Sequence, residues 1–279
     1  MAPPAVNHQQ PLQQRVLAIA QTLQFGWFIG HLLFLLSTLR YTFAAIKFNT
    51  SSTGARFSYR LAFISAAVTY GIVVFKAYKA RAARGTGLQP QALLADENVQ
   101  YLILALVWLF SKPIFYALLP YAVYSTFHFL TYLRTNLLPA LMPPPPAAAA
   151  AAGAVPADGS LRKGPQPPLA EAIGRFVKQN YDASMHLVSR LELALWARVF
   201  FGTLIFSNSW ILLVVYSVFV RVRYAQSQFM RSAVAYMERF FDGLLADQRV
   251  PAGVRNGWGA FKGVIRTVGD KTDFGKKTQ

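Results

Sequence analysis

Residues Leu23 to Phe43 read LQFGWFIGHLLFLLSTLRYTF, a run in which Arg40 is the only charged side chain. An α-helix rises about 1.5 Å per residue and the hydrocarbon core of a bilayer is about 30 Å thick, so roughly 20 apolar residues span it. This stretch is therefore a membrane span. Arg40 lies close enough to its end for the long stem to carry the guanidinium to the headgroups.

Three more apolar blocks follow: Leu61 to Phe75, Val99 to Leu138, and Leu193 to Val220. The second is short for a span, but Tyr59, Tyr70 and Tyr78 with Lys76 and Lys79 supply interfacial anchors that let it sit in a bilayer. A soluble bundle with buried core helices would need charged residues to coat its surface, and only 14% of this chain is charged. The formal net charge is nevertheless +17, so the aqueous face of the protein is basic.

The third block divides. Val99 to Leu119 (VQYLILALVWLFSKPIFYALL) reads as a full span carrying Lys112 and Pro113, and Pro120 reads as a kink or hairpin tip before Tyr121 to Leu138 (YAVYSTFHFLTYLRTNLL). The last block is interrupted at Ser207, Asn208 and Ser209. Two readings stand: short arms, Leu193 to Phe206 and Trp210 to Val220, of a shallow hairpin, or one tilted helix whose Asn208 bonds to a neighbour.

The fold expected is all-α: a polytopic helical membrane protein with short or kinked membrane helices and hairpins, plus C-terminal amphipathic helices. Its divisions are an N-terminal cytosolic tail (1–22), membrane helices (23–138), a Pro/Ala-rich disordered linker (139–168), an amphipathic helix with a membrane hairpin (169–224) and a basic amphipathic C-terminal region (225–279). The linker contains nine prolines, including Pro143 to Pro146, and the alanine run Ala147 to Ala152. Beyond it, Ile173, Phe176, Val177, Tyr181, Met185, Val188 and Leu191 recur at helical spacing and lead into the last membrane block. The first apolar block is too long for the core of a signal peptide and is expected to stay as an anchor.

Charge sets an orientation. Lys76, Lys79, Arg81 and Arg84 follow the second block, Arg162, Lys163, Arg175 and Lys178 precede the last, and Arg221 and Arg223 follow it. The positive-inside rule puts these groups, and with them both termini, in the cytosol. Lys47, Arg56 and Arg60 on the opposite side run against that bias.

The C-terminal region holds the candidate site. From Gln228 to Leu245, Phe229, Met230, Ala233, Val234, Met237, Phe240, Phe241, Leu244 and Leu245 repeat at intervals of three and four, with Arg231, Glu238, Arg239 and Asp242 on the other side. After Pro251, Val254, Trp258, Phe261, Val264, Ile265 and Val268 share one face, flanked by a row of Arg255, Lys262 and Arg266. Basic side chains beside an apolar face suit a helix lying at the surface of a bilayer with anionic headgroups. The membrane-binding candidates are thus Phe240, Phe241, Arg255, Trp258, Phe261, Lys262, Ile265 and Arg266. The first helix suits its own membrane body equally well. In the second, Gly257, Gly259 and Gly263 each cost about 1 kcal/mol of helix stability relative to alanine.

Little else suggests chemistry. The absence of cysteine excludes disulfides, thiolate metal sites and a cysteine nucleophile. His8, His31, His128 and His186 have no metal-ligand spacing, and His128 reads as an interhelical hydrogen-bonding residue. Asp96 and Glu97 adjoin a helix start, where capping explains them. Lys112, Arg134 and Arg198 each fit near an interface, and the blocks hold no acidic partner for a proton or ion path. No catalytic residue, metal site or cofactor is expected. Nucleic acid is not the expected partner: the residues from Arg221 onward set eleven basic side chains against five acidic ones, and the aromatics lie on the apolar face.

The run QALLADENVQYLIL at Gln91 to Leu104, the passage from Pro113 through Pro120 to Ser125, His128, Thr131, Tyr132 and Arg134, and VRVRYAQSQFMR at Val220 to Arg231 together resemble the transmembrane protein 33 family. That family includes the fungal 33-kDa pore membrane proteins. The likeness covers about Leu23 to Leu138 and Leu169 to Val250 and departs from the family at the proline and alanine linker. It implies a protein of the endoplasmic reticulum membrane and nuclear envelope, with reticulon-type membrane-shaping proteins and nuclear pore components as partners, and no catalytic residue. The function expected is that of a non-enzymatic membrane-shaping or scaffold protein. The alternatives are a transporter or channel, or a lipid-modifying membrane protein.

Overall fold

The computed structural model describes residues 11–85, 90–142, 167–247 and 249–271, and among them every regular element is helical. The chain divides into two compact units, with the boundary between Ser184 and Met185 inside one long helix.

The first unit contains α1 (Leu12–Ala20), α2 (Leu23–Ile46), α3 (Thr53–Ala83), the short α4 (Pro90–Leu94), α5 (Glu97–Phe110), a 3-10 turn (Phe115–Ala117), α6 (Leu118–Tyr132), a π turn (Leu133–Leu137), α7 (Leu138–Leu141) and the start of α8 (Pro168–Leu204). α2 packs along α3, with α5 against α3 and α6 against α2. α2 and α3 have 24 and 31 residues, enough length and apolarity to cross a bilayer. Only 33% of the apolar stretch of each is buried. Leu33, Leu36, Phe43 and Ile46 of α2, Phe57, Ile64, Val68 and Phe75 of α3, and Ile103 and Phe110 of α5 face outward. The polar side chains His31, Thr38, Ser58, Ser65, Thr69 and Ser125 are inside. An apolar exterior around an interior containing hydroxyls belongs to a helical membrane protein, whose outer surface is covered by lipid.

Aromatic rings fill the core. Tyr121 meets Phe63 and Tyr101 edge-on, with ring centroids 5.5 and 5.2 Å apart, and its hydroxyl donates to the Tyr101 carbonyl at 2.8 Å. Such contacts give the packing direction as well as buried area. α2 and α3 approach closely at Gly30, where a Cβ would strike the Thr69 methyl.

The third apolar block breaks elsewhere than expected. Val99 to Leu119 is not one span: α5 stops at Phe110, Ser111 is extended, and the chain re-enters helix after Pro113. A proline disfavours helical geometry in the residue before it, so Lys112 and Pro113 end the helix. Pro120 makes no kink or hairpin tip. It is the third residue of α6, in the first turn, where its missing N–H would have had no helical partner.

The tail and linker also contribute helix. In α1, Arg15 donates to the Ala140 carbonyl at 2.8 Å, and Ile19 packs with Phe28, Tyr132 and Ala140. At the linker's margins, Pro139 to Leu141 belong to α7 and Pro168 begins α8, while residues 143–166 lie outside the described residues.

Arg60, which ran against the charge bias, and Arg40, near the end of the first apolar run, both have structural work. Arg60 donates to the carbonyls of Trp108 and Leu109, satisfying the C-terminal end of α5. Arg40 bonds the Gly54 carbonyl at 2.5 Å and the Ser58 hydroxyl, tying α2 to the start of α3.

Candidate membrane-binding site

The second unit consists of the remainder of α8, α9 (Trp210–Gln226), α10 (Gln228–Leu245) and α11 (Ala252–Lys271). α8 and α9 form a helical hairpin, so the last apolar block is two helices and not one. Trp196 Nε1 donates to Ser217 Oγ at 2.9 Å and the Tyr216 hydroxyl to the Glu192 carbonyl at 3.2 Å. At the open end Glu192 and Arg223 form a buried ion pair at 3.5 Å. The acidic partner missing from the apolar blocks thus stands one residue before the last of them. Only its adjacency to Leu193 hinted at burial.

The tip satisfies its own backbone. The Gly202 carbonyl accepts from the Ser207 and Asn208 amides at 2.7 and 3.2 Å, and Asn208 Nδ2 donates to the Val199 carbonyl at 3.2 Å. Phe206 turns the chain with a left-handed φ of 56°, and Ser209 caps α9 through the Ile211 amide. A Cβ on Gly202 would run into the Asn208 amide and the Arg198 guanidinium. Ile205, Phe206, Trp210 and Ile211 point outward from this tip.

Ser227 caps α10, whose apolar stripe changes surroundings along its length. Met230 and Ala233 are buried, Phe229 meets the His186 ring edge-on at 5.0 Å, and Arg190 lies 5.3 Å from the centroid of Tyr236. This half packs on α8. Met237, Phe240 and Leu244 continue the stripe and are exposed. Protein packing thus accounts for the first half of the stripe, and the second half is bare.

α11 forms despite its glycines and bears exposed Val254, Phe261 and Val264. Trp258 and Lys262 turn to α10: the Trp258 ring lies 5.3 Å from Phe241, and its Nε1 donates to Asp242 Oδ1 at 2.6 Å. Lys262 Nζ reaches the same oxygen at 2.7 Å and Glu238 at 3.7 Å. Of the eight candidates, Phe241, Trp258 and Lys262 therefore meet at the α10–α11 seam, while Phe240, Arg255 and Phe261 are exposed. The side chains of Ile265 and Arg266 lie outside the described residues.

In the first unit, folding joins two histidines that sequence spacing kept apart. The rings of His31 and His128 are 4.9 Å apart, both beside Trp27, and His31 Nδ1 is 3.0 Å from Ser125 Oγ. It is His31, not His128, whose interhelical hydrogen bond is seen. Among the described residues no three histidine, cysteine or acidic side chains are gathered to hold a metal ion.

The family model for Transmembrane protein 33/Nucleoporin POM33 matches residues 5–270. The chain belongs to this family. The nucleoporin POM33 of Chaetomium thermophilum is 46% identical over 99% of this chain and 96% of its own. Tetra-spanning protein 1 of Schizosaccharomyces pombe is 35% identical, covering 93% of this chain and 89% of its own length. The pore membrane protein of 33 kDa of Saccharomyces cerevisiae is 30% identical, over 90% and 85% respectively. No solved structure matches the chain. The family match runs through α1, the proline and alanine segment and most of α11, beyond the stretches whose motifs resembled the family.

Proposed function

We propose that this chain is a non-enzymatic membrane-shaping or scaffold protein of the endoplasmic reticulum and nuclear envelope, contributing to tubule organisation and nuclear pore organisation. It acts by hairpin insertion and by amphipathic-helix binding to a bilayer with anionic headgroups. Reticulon-type proteins and nuclear pore components are its partners. Both termini face the cytosol; α2, α3, α5 continued by the extended stretch at residues 111–114, and α6 cross, and the α8–α9 hairpin enters from the cytosolic side and returns.

The observation that carries this reading is the length of the hairpin. From the Glu192–Arg223 pair to the tip, the α8 arm comprises Leu193 to Leu204. At about 1.5 Å per residue its twelve residues reach about 18 Å, against a hydrocarbon core of about 30 Å. A tip of Ile205, Phe206, Trp210 and Ile211 with self-satisfied backbone suits the interior of the bilayer. Area added mainly to one leaflet favours curvature toward that leaflet. The bare halves of α10 and α11 add a second, shallower insertion on the same side.

The test uses the absence of cysteine. Single cysteines at Ile205 and at Asn49, between α2 and α3, are exposed to a membrane-impermeant maleimide in sealed vesicles. The reading expects Asn49→Cys to react only after the lumenal side is opened and Ile205→Cys to stay unreactive from both sides. Lumenal labelling of Ile205→Cys would make the hairpin a spanning one.

A further inference from the structure

Trp258 Nε1 and Lys262 Nζ, one helical turn apart on α11, converge on a single oxygen, Asp242 Oδ1, at 2.6 and 2.7 Å. An indole N–H and an ammonium closing on one oxygen form a two-donor anion site. In this structure a carboxylate from the neighbouring helix fills it. We infer that Trp258 and Lys262 form a binding site for the phosphate oxygen of an anionic lipid headgroup, and that Asp242 is its internal plug. The inference rests on the reading of α11 as a membrane-binding helix.

Three features point to a lipid rather than a free anion. The donors are on the helix that carries exposed Val254, Phe261 and Val264, so a headgroup held there brings its acyl chains to an apolar face. Arg255, seven residues before Lys262 in the basic row, is exposed and adds attraction to an anionic surface. The Lys262 ammonium lies 5.7 Å from the centroid of the Trp258 ring, leaving the indole edge free to donate while its face supports the cation. Glu238, 3.7 Å from Lys262, strengthens the closed form. On a zwitterionic surface each phosphate is neutralised by its own headgroup cation, so the carboxylates remain the stronger acceptors and keep α11 against α10. On an anionic surface phosphate oxygens replace them, the Phe241–Trp258 contact parts, and α11 swings onto the bilayer. Headgroup charge is thereby read before the helix commits to the membrane.

The experiment uses the full chain reconstituted in vesicles, with spin labels at Gly243→Cys and Asn256→Cys. A Cβ at Gly243 meets nothing within 4 Å, and Asn256 is exposed. In phosphatidylcholine vesicles the label separation is expected to be short and narrow. With phosphatidylserine added it should lengthen by about a helix diameter, roughly 10 Å. Asp242→Asn, which removes the charge and keeps the shape, should lengthen it in neutral vesicles. Trp258→Phe with Lys262→Gln should bring the loss of the lengthening specific to phosphatidylserine. Soluble inorganic phosphate should leave the wild-type separation unchanged; lengthening with it would assign the site to a free anion and overturn the lipid assignment. An Asp242→Asn protein that stays closed in neutral vesicles would overturn the plug. A third label at Val264 separates the two readings: if it enters lipid while the 243–256 separation stays constant, the headgroup site fails alone, and if it never enters lipid, the membrane reading of α11 fails with it.

Discussion

Glu192 Oε1 and Arg223 Nε lie 3.5 Å apart across the open end of the α8–α9 hairpin, with side chains 1% and 6% exposed. Two charges taken out of water hold each other only as a pair. Removing one strands the other, at a cost of about 3–5 kcal/mol, whereas replacing both with apolar residues of similar volume is often neutral. Glu192→Gln or Arg223→Met should therefore loosen the hairpin by about 3 kcal/mol, read as faster amide exchange in α8 and α9 of the detergent-solubilised protein. Glu192→Leu with Arg223→Met should restore most of the protection. Equal losses in all three variants would mean that the pair contributes through packing alone.

The α2–α3 contact makes a steric prediction. Gly30→Ala drives a methyl into the Thr69 methyl, and overpacking of this kind costs about 1–3 kcal/mol. Thr69→Ser removes the obstructing methyl and keeps the hydroxyl, which donates to the Ala66 carbonyl at 2.8 Å. The double variant should recover the thermal stability lost by Gly30→Ala. No recovery would move the close approach to another pair of residues.

On α11, Cβ atoms at Gly257 and Gly259 would meet nothing within 4 Å. Alanine at both positions should add about 1 kcal/mol of helix stability per site and slow amide exchange across Ala252–Lys271 in the full chain. Unchanged exchange would show that the seam with α10, not backbone propensity, limits the order of this helix.

At the hairpin tip, Gly202→Val should collide with the Asn208 amide and the Arg198 guanidinium, opening the turn. Asn208→Leu should remove one donor from the Val199 carbonyl, which keeps the Thr203 hydroxyl at 2.9 Å, at a cost of about 0.5–1.5 kcal/mol. Protease access at Phe206 in detergent should rise in both variants. An unchanged cleavage rate would argue that the tip is held from outside the turn.

Much of this architecture was legible in the sequence because the bilayer imposes a length on apolar runs. α2 begins at Leu23 as expected, and α10 runs from Gln228 to Leu245, the limits set by its three- and four-residue repeat. Asp96 caps α5 through the Asn98 amide, as its place before an apolar helix suggested. Proline was less transparent. Pro113 and Pro120 look alike in a string, yet one follows the non-helical Ser111 and Lys112 and the other lies in a first turn where it costs nothing; helix phase separates them, and composition does not carry phase. Pairings across the fold were hidden for the same reason. The sequence aligned Lys262 with Arg255 and Arg266, while Asp242 meets it and Trp258 only after a turn reverses the chain. His31 and His128, on α2 and α6, carried no local mark of their contact.

Membrane bending by this protein, as proposed, is read from the diameter of vesicles or tubules reconstituted with the full chain at rising protein density and imaged by cryo-electron microscopy. Diameters should fall as density rises, and Phe240→Asp with Phe261→Asp, both exposed in the tail, should weaken the effect without dissociating the protein from the bilayer. Diameters that stay constant at every density, while the protein remains inserted, would contradict it.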